Sequence, residues 1–156
     1  MVRFVPMEKT AVTKAELALQ LGHSMHELRN NIRQHIQVKI REHEVDITFE
    51  MLEVMSFLWR NDGSNQQEIA DQTLRDKSSM TYLIDNLVKR SLVKRTEDGN
   101  DRRNKLIFLT DQGKALKEQL HPWVAEVYEK ATIDLDLQSL QQSVALLHQM
   151  VSKLKP

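Results

Sequence analysis

Apolar residues recur along most of this chain at spacings of three and four, the period of a helix with one buried stripe. Leu21, Met25, Leu28, Ile32, Ile36 and Ile40 mark the first stripe, on a helix predicted to open at the capping box Thr13-Lys14-Ala15-Glu16 and to run to about Glu42. At 1.5 Å per residue such a helix spans roughly 45 Å, longer than a small domain needs for its own core. Part of its stripe is therefore predicted to meet another subunit. Residues 1–12 carry no sustained period, contain Pro6 and read as an arm. After a short connection Thr48 caps a second predicted helix, Phe49 to Arg60, with Leu52, Met55, Leu58 and Trp59 buried. Asn61-Asp62-Gly63 is a turn, and Ser64-Asn65-Gln66-Gln67 has the capping-box form that would start a short helix over about 65–73.

The next stretch changes character. Met80, Leu83, Ile84 and Leu87 form a helical stripe, while Ser78, Ser79, Tyr82, Asp85, Asn86 and Lys89 occupy the opposite face. The joint Thr73 to Asp76 has the length of a helix-turn-helix connection. Beyond the helix lie Leu92-Val93, a turn-forming run Glu97-Asp98-Gly99-Asn100-Asp101, the cluster Arg102, Arg103, Lys105, and a strand-like Leu106-Ile107-Phe108-Leu109. A polar-faced helix followed by a ribbon with an Arg-rich tip suits a reader of the major groove with an arm for the minor groove. Thr110 caps a further helix carrying Leu116 and Leu120, which Pro122 is predicted to kink or restart before Trp123, Val124 and Val127. Asp134 or Asp136 caps the last helix, where Leu137, Leu140, Val144, Leu147, Val151 and Leu154 form a seam of alternating three and four. With no later element to cover it, that seam is predicted to pack between subunits.

The fold class expected is mainly α: a winged helix-turn-helix with a small two- to three-stranded β wing and a helical dimerisation region. Residues 1–46 would supply the arm and a long dimerisation helix, 47–110 the winged helix-turn-helix, and 111–156 the C-terminal dimerisation helices, all in one intertwined structural domain.

Composition agrees with helices: aromatic residues make up 5% of the 156, and only four glycines and three prolines interrupt the chain. The absence of cysteine excludes a disulfide framework, a thiolate metal site and a cysteine-based peroxide sensor. No apolar run approaches 18 residues and the start does not resemble a signal peptide, so a soluble cytoplasmic protein, with no membrane partner, is expected. Net charge is zero but unevenly spread. Residues 1–74 hold 8 basic and 11 acidic side chains, 75–105 hold 9 and 5, and 106–156 hold 5 and 6, giving −3, +4 and −1. The excess of positive charge falls on the stretch with the polar-faced helix, as a phosphate-contacting surface requires.

Enzyme chemistry finds no foothold. There is no Gly-x-Gly-x-x-Gly, no Walker loop around Gly113-Lys114 and no nucleophile elbow, so no catalytic residue and no cofactor is assigned. Asp98-Gly99-Asn100-Asp101 has the composition of a calcium loop without its twelve-residue spacing or terminal Glu.

Over residues 47–116 the chain resembles the winged helix-turn-helix of the MarR (multiple antibiotic resistance regulator) transcription factors. The resemblance rests on Ile47-Thr48, Gln67-Glu68-Ile69-Ala70, Asp76-Lys77-Ser78-Ser79-Met80-Thr81, Leu87 with Lys89-Arg90-Ser91-Leu92-Val93, and Asp101-Arg102-Arg103 followed by Leu109-Thr110 and Gly113. Two family glycines are missing: Leu74 and Arg75 fill the joint, and Ser91 follows the basic pair. The resemblance implies a homodimer on double-stranded DNA. It implies a wing anchored by a D-x-R pair, here Asp101 and Arg103, with basic side chains entering the minor groove. It also implies a pocket for small phenolic or lipophilic ligands between the dimerisation helices and the reading head.

The candidate base readers are Ser78, Ser79, Thr81, Tyr82 and Asn86, whose hydroxyls and amide can address base edges; Ser79 and Thr81, nearer the flanks, serve structure equally well. Asp101, Arg102, Arg103 and Lys105 are the wing candidates, one of the cations bracing the ribbon through Asp101. His23, His26, Met55 and Trp59 are the candidate pocket residues. His23 and His26 also have a metal-ligand spacing, though no further ligand cluster accompanies them and no metal is assigned. The function expected is sequence-specific transcriptional regulation, as a ligand-responsive repressor on a pseudo-palindromic operator. The alternatives are a winged-helix protein-interaction module and a metal-responsive regulator using the histidines.

Overall fold

The computed structural model describes residues 12–101 and 104–155; of the expected arm only Val12 falls among them, and Arg102 and Arg103 lie outside. In chain order the elements are α1 (Lys14–Glu42), α2 (Phe49–Leu58), β1 (Ser64–Asn65), α3 (Gln66–Gln72), α4 (Lys77–Lys89), β2 (Val93–Glu97), β3 (Lys105–Leu109), α5 (Asp111–Ala131) and α6 (Leu137–Leu154). Side-chain caps set most of the helix starts. Thr13 and Glu16 close the capping box of α1, while Thr48, Asn65, Asp76, Thr110 and Asp136 each accept a backbone N–H from three residues on.

The core gathers Ile32, Ile36 and Ile40 from α1, nearly all of α2, Ile69 and Ala70 from α3, and the stripe Met80, Leu83, Ile84 and Leu87 of α4. Leu92, Val93, Ile107 and Leu109 bring the ribbon into it, and Leu120 and Val127 bring α5. The long first helix is thus divided. Its C-terminal half packs on its own subunit, whereas Leu17, Leu19, Met25 and Leu28 of its N-terminal half remain exposed. Along α6 no residue is buried at all. None of the described helices is long and apolar enough to cross a membrane.

The sheet has three antiparallel strands in the order β1-β3-β2, with Ser64 opposite Ile107 on one side and Arg95 opposite Ile107 on the other. This moves the start of α3. Ser64 does not cap it, because pairing with β3 holds that residue extended and its hydroxyl donates to the Asn61 carbonyl at 3.0 Å. Asn65 caps instead, accepting from the Glu68 N–H at 2.8 Å. Pro122 likewise does not restart its helix, since α5 runs unbroken through it. The proline forfeits one bond to the carbonyl four residues back, and the buried Leu120 and Val127 on either side hold the axis.

The two missing glycines leave a trace. Leu74 and Ser91 both adopt the left-handed conformation, φ +54 and +56, that glycine takes without steric cost. In the joint between α3 and α4, Leu74 is also 89% exposed, so burial of its side chain does not offset the strain. The bend itself is secured by the Arg75 N–H donating to the Ala70 carbonyl at 2.9 Å.

Candidate nucleic-acid interface

The reading head is the unit of α3, α4 and the ribbon. Asp76 begins α4: one carboxylate oxygen accepts from the Ser79 N–H at 2.8 Å and the other from the Ser79 hydroxyl at 2.6 Å. Those bonds, the hydroxyl's first, hold the Asp76 carboxyl below the usual carboxylate range. Ser79 is therefore engaged in the cap. Thr81 is engaged too, its hydroxyl donating to the Lys77 carbonyl at 2.9 Å and accepting from the Gln66 amide at 2.8 Å, which ties α3 to α4. Asn86 donates to the Tyr82 carbonyl at 2.8 Å and accepts from Arg90, which in turn reaches Asp46 between α1 and α2. Ser78 and Tyr82 remain. Both side chains are exposed, Tyr82 to 67%, and neither bonds another described residue. Of the five candidate readers the fold thus commits three to holding the head together and leaves two free to project.

The cations divide in the same way. Arg75 pairs with Glu53, Arg90 with Asp46, Arg95 with Asp85 and Lys105 with Glu97. Lys77, Lys89 and Lys94 have no acidic partner among the described residues, which makes them free positive charges of the described part of the reading head. Lys77 and Lys94 were not singled out from the sequence. Only the fold shows that neighbouring arginines are neutralised and these lysines are not.

On the wing, Lys105 sits opposite Glu97 in the register and donates to it at 2.9 Å, which holds the Glu97 carboxyl below its ordinary range. Among the described residues Lys105 thus braces the ribbon through Glu97, and Arg95 ties it to α4 through Asp85. Asp101 helps shape the turn, its carbonyl accepting from the Asn104 N–H at 2.9 Å. Beside the ribbon a cleft of ≈ 280 Å³ is lined by Gln66, Gln67, Lys77, Asn104 and Lys105 over a floor that includes Ala70 and Met80, where the starts of α3 and α4 meet the start of β3.

A second cleft, of ≈ 620 Å³, lies between α1, α2, α5 and the α3–α4 joint. Its apolar walls include Ile32, Ile36, Phe49, Phe57 and Val124, and Trp59 stands in its side with the indole N–H donating to the Gly113 carbonyl at 2.9 Å. Three of the four expected pocket residues are elsewhere. Met55 is fully buried on the inner face of α2, in line with Met51 and Leu58, while Leu52, Ser56 and Trp59 form the stripe that faces the cleft. His23 and His26 lie on the exposed half of α1, one to two turns before Arg29, where that helix first meets the cleft. His26 bonds Asn30 at 2.9 Å. The histidine lining the cleft is His121, from α5. Among the described residues no group of three or more His, Asp or Glu side chains could hold a metal ion.

The sequence model of the MarR family matches residues 47–105. The HTH-type transcriptional regulator SarZ of Staphylococcus aureus is 30% identical over 90 residues, 58% of this chain and 61% of that protein. The chain thus spans about three fifths of the length of the curated relatives that it matches first. The crystal structure of a MarR transcriptional regulator from Methanosarcina mazei Go1 superposes with TM-score 0.78 and 25% identity, over 86% of this chain and 98% of that one. Bordetella bronchiseptica BpsR, whose DNA binding is described as regulated by 6-hydroxynicotinic acid, has the same fold: TM-score 0.72 and 23% identity, over 85% and 98% of the two chains.

Proposed function

We propose that the chain, which matches the MarR family's sequence pattern over residues 47–105, is a sequence-specific DNA-binding transcriptional regulator of that family. The observation that carries this reading is the divided face of α4. Ser78 and Tyr82 project unengaged from a helix whose other polar side chains brace it, beside the unpaired Lys77, Lys89 and Lys94. Free hydroxyls over base edges give specificity, and free cations over phosphates give affinity.

The regulator acts as a homodimer in the cytoplasm. The exposed apolar half of α1 and the wholly unburied α6 supply its dimer surface. Two heads related by a twofold axis would address half-sites about one helical turn, ~34 Å, apart on a pseudo-palindrome. A small organic anion is its effector and repression its mode. In support, the larger cleft combines apolar walls with Arg60 and Lys117, cations that pair with no described acid, and the similarly folded BpsR answers to a hydroxylated aromatic acid. By favouring one head separation over another, an occupant of that cleft changes affinity for DNA.

Selection of bound duplexes from a random pool, with anisotropy on the winners at about physiological salt, tests the reading. An inverted repeat bound far more tightly than scrambled DNA is the expected result; a folded dimer that enriches nothing would refute it and favour a protein-interaction module. Arg103→Ala, in the wing, is expected to weaken DNA binding tenfold or more with the dimer intact.

A further inference from the structure

Glu53, on α2, divides its carboxylate between two arginines from different parts of the fold. One oxygen holds Arg29 of α1 at 2.7 Å and the other holds Arg75, in the joint between α3 and α4, at 2.5 Å. Arg29 and Glu53 line the larger cleft together with Gln72, at the end of α3, and the joint residues Thr73 and Leu74, while Arg75 lies on the side of Glu53 away from it. The arginines are unequal: the Arg29 side chain is 58% exposed, whereas that of Arg75 is 18% exposed and its Nε is buried without a hydrogen-bond partner. Arg29 is the arm that solvent, or an anion, can reach.

We propose that Glu53 is the positioning residue that couples the cleft to the reading head, by exchanging Arg29 for an anionic occupant. An organic carboxylate entering among Arg29, Arg60 and Lys117 competes with Glu53 for the exposed guanidinium. Once freed from Arg29, Glu53 turns both oxygens to Arg75, the bidentate arrangement that arginine favours and that its single buried contact does not satisfy. Arg75 directly follows Leu74, which is already strained at φ +54, and directly precedes Asp76, the cap of α4. A displacement of Arg75 therefore enters the chain at a strained joint and is delivered to the first turn of the helix that carries Ser78 and Tyr82. The occupant acts on the angle between α3 and α4, in addition to any change in the separation of the two heads.

This inference rests on the ligand-responsive reading above, and one experiment separates their failures. Benzoate serves as probe, a single ring with one carboxylate matched to the apolar walls and cations of the cleft. Trp59 in the wall reports its binding by fluorescence, and anisotropy reports the affinity of the dimer for its selected operator. In the wild type, saturating benzoate is expected to quench the tryptophan emission and to weaken operator binding about tenfold, within the usual range of coupling between sites. Glu53→Gln is expected to retain the quench and to change operator affinity by less than twofold on adding benzoate. Arg29→Gln, at a half-exposed position, is expected to bind the operator like benzoate-saturated wild type and to lose little more when benzoate is added. A Glu53→Gln dimer that quenches and loses the same factor as the wild type would overturn the coupling while leaving the ligand-responsive reading intact. A wild type that does not quench, or quenches without releasing DNA, would overturn that reading and the coupling with it.

Discussion

Gly113 stands in the first turn of α5, where that helix passes the start of β2. A Cβ added to it would lie 2.0 Å from the Leu92 carbonyl oxygen and 3.0 Å from the Leu92 carbonyl carbon. Bringing the first contact out to 3.0 Å requires a movement of 3.0 − 2.0 = 1.0 Å, and the atoms in the way are backbone. Neither side is free to move. The Leu92 carbonyl accepts from the Thr110 N–H at 3.1 Å, and the Gly113 carbonyl accepts from the Trp59 indole N–H at 2.9 Å. Two bonds at about 1 kcal/mol net each, with overpacking strain of about 1–3 kcal/mol, outweigh the helix-propensity gain of up to about 1 kcal/mol that alanine brings. Gly113→Ala is therefore expected to destabilise by about 2–4 kcal/mol. Gly22→Ala is the control: nothing lies within 4 Å of its added Cβ, in the N-terminal half of α1, and a gain of up to about 1 kcal/mol is expected. Urea unfolding followed by tryptophan fluorescence, at one fixed protomer concentration, compares the three proteins. A Gly113→Ala protein within about 0.5 kcal/mol of wild type would refute the close-approach argument.

Three further outcomes are expected. Leu74→Gly should stabilise the fold by about 0.5–1 kcal/mol, since relief of about 1–2 kcal/mol of left-handed strain exceeds the added flexibility of the unfolded chain; a lower urea midpoint would contradict the strain. Asp76→Asn keeps a cap but no charge. Because the Asp76 carboxyl titrates below its ordinary value when folded, its contribution is fully present above the unfolded value and is lost as pH falls through the folded one. The stability gap between wild type and Asp76→Asn should accordingly be widest near neutrality and close in acid; a gap constant with pH in urea titrations would exclude the charged cap. Lys77→Ala, Lys89→Ala and Lys94→Ala should each weaken operator and scrambled DNA alike and lower the slope of log affinity against log salt by about 1. Any of the three that leaves that slope unchanged makes no phosphate contact.

The fold was legible where one local rule decided the outcome. The stripe Met80, Leu83, Ile84, Leu87 has a single helical solution, and the capping box Thr13-Lys14-Ala15-Glu16 forms with both of its bonds. Legibility failed where two local rules competed. Ser64 and Asn65 both cap well, and pairing with β3, more than forty residues away in sequence, chose between them. Pro122 argued for a break that the packing of its neighbours overruled. On the reading surface, the types of side chain were visible in the sequence but their partners were not. Thr81 meets Gln66 and Arg95 meets Asp85 only after folding, so no spacing distinguishes a bracing residue from a projecting one. The cleft was displaced for a geometric reason: α2 is buried around most of its circumference, so its apolar pattern alone cannot separate Met55, facing the core, from Leu52 and Ser56, facing the cleft.

The bond from Gln66 to Thr81 has an evolutionary corollary. Together with the Ser79 and Asn86 contacts it divides α4 into positions where substitution disturbs the scaffold and positions where it does not. A lineage drifting toward a new operator can vary Ser78 and Tyr82 at little cost in foldedness, whereas change at Thr81 needs a compensating change at Gln66. Diversification within such a protein would thus be concentrated at two sites, with a third and fourth moving only as a covarying pair. A randomised library confined to Ser78 and Tyr82 would sample most of the altered-specificity variants that still fold.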